Sequence, residues 1–230
     1  IVASGIVLML AGLTVVGAAQ DAIDGFALTA TGRILELTTQ TLGVVLGILA
    51  GLETARVVGA GMDVPNDSLP FGALPLQFAG AALIAVSVTI YNGAGLRVVA
   101  VSVGLSVVAW AGYTAASTLG FDTAAASGVG AFVGSLVGIV AAYRLHVPSV
   151  AITTAAILPM VPGAAVFRGL LGVVESGQST VTLLTGFTTL ASAATVGIAL
   201  AVGASLGIYV GQPLRASLGT VIRARARERS

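Results

Sequence analysis

Two stretches set polar and charged side chains inside otherwise apolar sequence. The first runs Gln20-Asp21-Ala22-Ile23-Asp24-Gly25 and continues through Thr29, Arg33, Glu36 and Gln40. At about 100° per residue, Thr29, Arg33, Glu36 and Gln40 fall within an arc of about 60° and draw one polar stripe along a helix. Asp21 and Asp24 lie off that stripe on a continuous helix, but a turn at Gly25 brings them round to it. Charges inside membrane spans are costly and tend to face a bundle interior or a water-filled path. Such a cluster suits a zwitterion: Arg33 for a carboxylate, and Glu36, Asp24 or Asp21 for an ammonium group or a coupling proton. The same residues admit a structural reading, with Asp21 and Asp24 in a solvated connection and Arg33 and Glu36 as an i, i+3 pair. Glue between helices of two subunits is a third.

The second stretch holds Thr153, Thr154, Pro159, Pro162, Gly163 and Arg168. Each Pro of Leu158-Pro159-Met160-Val161-Pro162-Gly163 removes a donor and clashes with the preceding turn, so an ideal helix cannot continue through it. A broken span frees backbone groups, and these with a half-helix N-terminus form a site for an anionic group. A structural kink, satisfied by Ser and Thr side chains and neighbouring helices, is the other reading.

The elements that carry these residues follow from composition. Of 230 residues, 57% are hydrophobic and 8% charged, and mean hydropathy is +1.05. Soluble domains carry roughly 25% charged residues, so the solvent for this chain is lipid. At about 20 residues per span, the length suits an all-α, polytopic membrane helical bundle of about seven spans. Breaks at Gly, Pro and charge place them at Ile1–Ala19, Thr31–Leu52, Ala73–Tyr91, Leu96–Ser117, Thr123–Tyr143, Val147–Val174 and Thr180–Val210. Val147–Val174 is the span broken by proline. Thr180–Val210 exceeds the hydrocarbon thickness and must tilt or project beyond it.

Arginine sets the expected topology. Arg215, Arg223, Arg225, Arg227 and Arg229 put the C-terminus in the cytoplasm, and the connections with Arg97 and Arg144 then also fall inside. Those with Asp63 and Asp67, with Asp122 and with Glu175 fall outside. Arg56 departs from the rule, with Glu53 as a partner one turn earlier. The chain divides at the turn-rich linker 53–72, which holds Pro65, Asn66, Asp67, Ser68 and Pro70. Residues 1–52 form two spans, 73–212 five, and 213–230 a basic cytoplasmic tail. Two spans are an odd minimal domain, and with Ile1 as first residue they suggest an absent upstream part.

Other features have plainer readings. Glycine is 31 of 230 residues, and Gly43-x-x-x-Gly47-x-x-x-Gly51 and Gly130-x-x-x-Gly134-x-x-x-Gly138 each put small residues on one face for close helix packing. His146 reads as an interfacial loop residue. Trp110 and Tyr113, with Tyr91, Tyr143 and Tyr209 near span ends, read as interface belt or packing. Cysteine is absent and histidine single, so no metal or cofactor is expected. The basic tail behind a span reads as a topology anchor with generic affinity for anionic lipid, without nucleic acid as a partner. No H-E-x-x-H helix, P-loop or opposed pair of intramembrane aspartates is present, and the chain reads as a non-enzyme.

The segment Asp21-Ala22-Ile23-Asp24-Gly25-Phe26-Ala27-Leu28-Thr29-Ala30-Thr31-Gly32-Arg33, the linker, and five spans containing Val147-Pro148-Ser149 and Leu158-Pro159-Met160-Val161-Pro162-Gly163 together resemble the bacterial threonine/serine exporter family. Its members have about ten spans in two halves, so the resemblance makes this chain the end of a first half and a whole second half. It implies secondary export of small polar amino acids across the cytoplasmic (inner) membrane, driven by the proton gradient. Carried over by residue, it marks Asp21, Asp24, Gly25 and Arg33, with Pro159, Pro162 and Gly163. Glu36 and Arg168 are added on physical grounds.

Split relatives in that family have succinate as the proposed substrate. Arg33 with Arg168 would suit a dicarboxylate, whereas Arg33 with Asp24 or Glu36 suits a zwitterion. Three functions are thus expected in order: a proton-coupled threonine/serine exporter, a succinate exporter, and a non-transporting scaffold subunit. The expected partners are a small-molecule substrate, the bilayer and an upstream half of the transporter, and a homo-oligomer is admitted.

Overall fold

The computed structural model describes residues 12–59, 72–145, 154, 156–175 and 180–227. Most of the expected span Ile1–Ala19, linker residues 60–71, His146, Val147-Pro148-Ser149 and Thr153 lie outside the described residues. Among those described, the regular structure is helical: α1 (Gly12–Ile23), α2 (Ala27–Val57), α3 (Leu74–Tyr91), α4 (Leu96–Thr118), α5 (Thr123–Leu145), a 3-10 turn (Leu158–Met160), α6 (Gly163–Glu175) and α7 (Thr180–Arg227). The all-α membrane architecture expected from composition is present. By length and composition, α3, α4, α5 and the Thr180–Pro213 part of α7 can each cross a bilayer.

Local chemistry sets the ends of these helices. Gly25 adopts φ 88°, which only glycine enters without strain. Its N–H donates to the Ala22 carbonyl at 3.3 Å, and the Phe26 N–H to the Asp21 carbonyl at 2.7 Å. That pair of bonds is the Schellman arrangement, which satisfies the last carbonyls of α1. Gly93 and Gly120 end α3 and α4 in the same way. α5 begins where Asp122 Oδ1 accepts the Ala125 N–H at 3.1 Å, so this acid is an N-cap. α3 has a proline in its first turn, where no intrahelical N–H bond is lost.

The break expected at the prolines is real. Pro159 sits in the 3-10 turn, and regular helix resumes at Gly163, with the Val166 N–H bonded to the Pro162 carbonyl at 3.0 Å. Two other helices are longer than their expected spans. α2 continues to Val57 and α7 to Arg227, with Pro213 inside it.

By its contacts the chain forms two compact units, Ile1–Phe71 with Val161–Ile198, and Gly72–Met160 with Ala199–Ser230. In the second, α4 packs on α3 and α5, and Ser106 Oγ donates to the Ala81 carbonyl at 3.0 Å across α4 and α3. Its core is small: Ala85, Ala109, Ala126, Ala131, Ser102 and Ser135 are fully buried. A Cβ placed on Gly134 would lie 2.8 Å from Ala109 Cβ, and one on Gly130 2.8 Å from the Ala109 carbonyl oxygen. The α7 end packs equally close: Gly203 lies against the Gly128 carbonyl, and a Cβ on Gly207 would sit 2.5 Å from the Phe132 carbonyl oxygen. Trp110 is buried and stacks on Tyr113 at 4.8 Å, so this pair is packing. In the first unit α2 packs on α1 and on α6, and α6 meets α7 where a Cβ on Gly186 would be 2.8 Å from the Gly169 carbonyl oxygen.

Between apolar helices in lipid, close van der Waals contact does the work that water does elsewhere. Gly203→Leu is therefore expected to destabilise the protein by about 3 kcal/mol or more, because backbone cannot yield as a side chain does. Gly104→Leu, exposed and with open space around it, should change stability by less than about 0.5 kcal/mol. Thermal unfolding in detergent checks both, and equal effects would remove the packing explanation.

Candidate functional site

The Schellman turn at Gly25 folds α2 back along α1 and brings Asp21, in the last turn of α1, to Arg33, two turns into α2. Arg33 Nε lies 2.8 Å from Asp21 Oδ2, with the two side chains 45% and 20% exposed. Oδ2 is enclosed and accepts no aligned hydrogen bond, so the contact is a close ion pair whose N–H is not aimed at the oxygen. A guanidinium is always charged, and placing a carboxylate against it reduces the cost of holding both away from water.

A third residue makes this contact fit. A Cβ on Gly17 would collide with Arg33 Nη1 and lie 3.3 Å from Cζ, so the guanidinium rests across α1 where Gly17 has no side chain. Gly17 and Asp21 are i, i+4 on one helix face. Sequence reasoning passed over Gly17; the available signal was a glycine one turn before an acid in an apolar helix.

On α2, Gln40 Nε2 donates to Glu36 Oε1 at 3.2 Å. Arg33 has its ion pair with Asp21 instead of the i, i+3 contact to Glu36 that the structural reading of the sequence supplied. Thr29, Arg33, Glu36 and Gln40 are all exposed, as is Asp24, whose N–H bonds to the Gln20 carbonyl at 2.8 Å in the turn. From the second stretch, Arg168 is half-buried on α6, Gly163 is buried at its start, and Pro162 just before it is half-buried. These three belong to the first unit, while Thr154 and Pro159, both half-buried, belong to the second. The structure thus joins Asp21 to Arg33 and Glu36 to Gln40, and gives the others a place on their elements.

Chemically, the arrangement offers a guanidinium and a carboxylate that neutralise each other and remain reachable. An incoming carboxylate can make a bidentate bond to Arg33, and an incoming ammonium can take Asp21. A double-mutant cycle with Asp21→Asn and Arg33→Gln, read by unfolding in detergent, is expected to give a coupling of about 0.5–1 kcal/mol. In a Gly17→Val background the coupling should fall toward zero. An undiminished coupling there would show that Gly17 is no seat for the guanidinium.

The chain is similar to known proteins across nearly all its length. Residues 77–210 match the family described as Threonine/Serine exporter, ThrE. The probable threonine/serine exporter of Mycobacterium tuberculosis is 36% identical over 236 residues, which cover 96% of this chain and 42% of that protein. The threonine/serine exporter of Corynebacterium glutamicum is 29% identical over 221 residues, covering 94% of this chain and 43% of that protein. The chain therefore spans about two fifths of the length of the curated relatives it matches. No solved structure matches it. With a family match across more than half its residues and helices able to cross a bilayer, the chain belongs to the threonine/serine exporter family.

Proposed function

We propose that this chain is part of a secondary active, proton-coupled exporter of threonine and serine, and that Asp21 and Arg33 receive the substrate zwitterion. The observation that carries the reading is the 2.8 Å ion pair between α1 and α2. Without substrate the two charges satisfy one another. Substrate enters by exchange: its carboxylate takes Arg33 from Asp21, its ammonium takes Asp21 from Arg33, and net charge at the site does not change. An acid beside the arginine suits a zwitterion and would repel the second carboxylate of a dicarboxylate. Thr29 and Gln40 are assigned to the substrate hydroxyl and path, and Arg168 with the helix start at Pro162 and Gly163, in the same unit, to the second wall.

The proton has its own carrier in this scheme. Glu36 or Asp24 shares the ammonium with Asp21, and its protonation from outside weakens that contact and releases the substrate. The exporter works in the bacterial cytoplasmic membrane with the arginine-rich C-terminus inside, and together with the further length present in the relatives.

Transport is tested in vesicles containing this chain joined to the rest of the exporter, with labelled threonine, serine and succinate under an imposed pH gradient. Arg33→Ala is expected to lower threonine and serine movement by about tenfold or more, which is about 1.4 kcal/mol. Succinate movement alone would transfer the site to a dicarboxylate, and no movement from folded, inserted protein would leave the chain a scaffold subunit. Glu36→Gln is expected to abolish gradient-driven export while sparing substrate exchange. Equal loss of both would remove Glu36 from proton coupling.

A further inference from the structure

Helix α2 has three distinct faces. Ala30 is buried and Leu37, Val44 and Ala55 are half-buried; these positions lie along one line of the helix and mark the face that packs within its unit. Leu28, Leu35, Leu42 and Leu46, exposed at 89%, 66%, 44% and 61%, form a second, leucine face. The third is different. At about 100° per residue, Thr29, Arg33, Glu36, Gln40, Gly43, Gly47, Gly51 and Thr54 lie within an arc of about 80°, centred about 115° from the leucines. The polar stripe therefore runs on directly into the glycine stripe, and all eight residues are exposed.

The leucine face suits lipid, and the polar and glycine face does not. Glu36, Gln40 and Arg33 facing hydrocarbon would be costly, and glycines facing lipid present backbone with no side chain to cover it. A Cβ placed on Gly43, Gly47 or Gly51 meets nothing within 4 Å. The other seams are closed: Gly130 and Gly134 lie against α4, Gly203 and Gly207 against α5, and Gly186 against α6. Among the described residues, one of the two glycine repeats is thus occupied and the other is open.

We propose that this face of α2 is the docking surface for one membrane helix from the part of the exporter that lies outside this chain. That length exists in the relatives, since a match over 96% and 94% of this chain uses only 42% and 43% of theirs. The face specifies its partner: small residues opposite Gly43, Gly47 and Gly51, to let the backbones approach, and a hydrogen-bonding side chain opposite the Glu36–Gln40 pair. A second copy fits less well, because parallel helices related by a two-fold axis turn Glu36 toward Glu36 and Arg33 toward Arg33. The docked helix would also enclose Arg33 from the side that the described residues leave open. The inference does not depend on which substrate is carried.

The test uses the full-length exporter with a protease site between this chain's sequence and the remainder, and a photoreactive amino acid at position 47 or, separately, at Leu46. After irradiation and cleavage, the probe at 47 is expected to hold the two parts together, several-fold more than the probe at Leu46. A product joining two copies of this chain would assign the face to self-association and overturn the proposal. Label found only in lipid, or equal yields from both positions, would overturn it as well. Gly43→Leu combined with Gly51→Leu should reduce the product from position 47 in protein that remains inserted, and an unchanged yield would remove the glycines from the interface.

Discussion

In hydrocarbon no water competes for backbone hydrogen bonds and none drives apolar helices together, and the rest of this structure depends on that constraint. Regular structure is helical because a helix satisfies its own amides and carbonyls. Cohesion must come from close packing, so the core of the second unit is rich in Ala, Ser and Gly, set around a few large side chains such as Leu105, Ile139 and Leu200. Gly128, Gly203 and Gly207 let backbone meet backbone. The few hydrogen bonds between helices, such as Ser106 to the Ala81 carbonyl, supplement that packing.

The same solvent gives the charges their meaning. A lone arginine in an apolar helix would be expensive, and Arg33 is relieved by Asp21 from the preceding helix. Three small features make that possible: a glycine that turns the chain, a glycine that clears the space, and an acid in the last turn of α1. None contributes much by itself. Together they hold two opposite charges in contact while leaving both side chains partly exposed.

Much of the fold was legible because lipid imposes simple rules. Apolar runs gave the helices α3, α4 and α5 to within about two residues, which is the usual uncertainty of helix ends, and the Pro159–Pro162 break fell where proline forbids a continuous helix. Helix lengths were less legible. Glu53-Thr54-Ala55-Arg56 reads as the start of a linker by charge, yet these residues are good enough helix formers to carry α2 to Val57. The basic stretch after Val210 likewise stays helical to Arg227, since a proline at 213 does not by itself end a helix already long and regular.

The sequence by itself determined the solvent, the helical class, the turn at Gly25 and the residue types available to a substrate, because each follows from local composition or from one residue's backbone freedom. Tertiary structure decided which of those residues meet. The one partner that spacing offered Arg33 was Glu36, three residues on along the same helix; the return of α2 along α1 gave the arginine to Asp21 and left Glu36 to Gln40. It also decided which glycine repeat is occupied, since Gly130 and Gly134 are pressed against α4 while Gly43, Gly47 and Gly51 stand open among the described residues. Spacing along a helix fixes which residues share a face, and only the packing of the other helices fixes what that face touches.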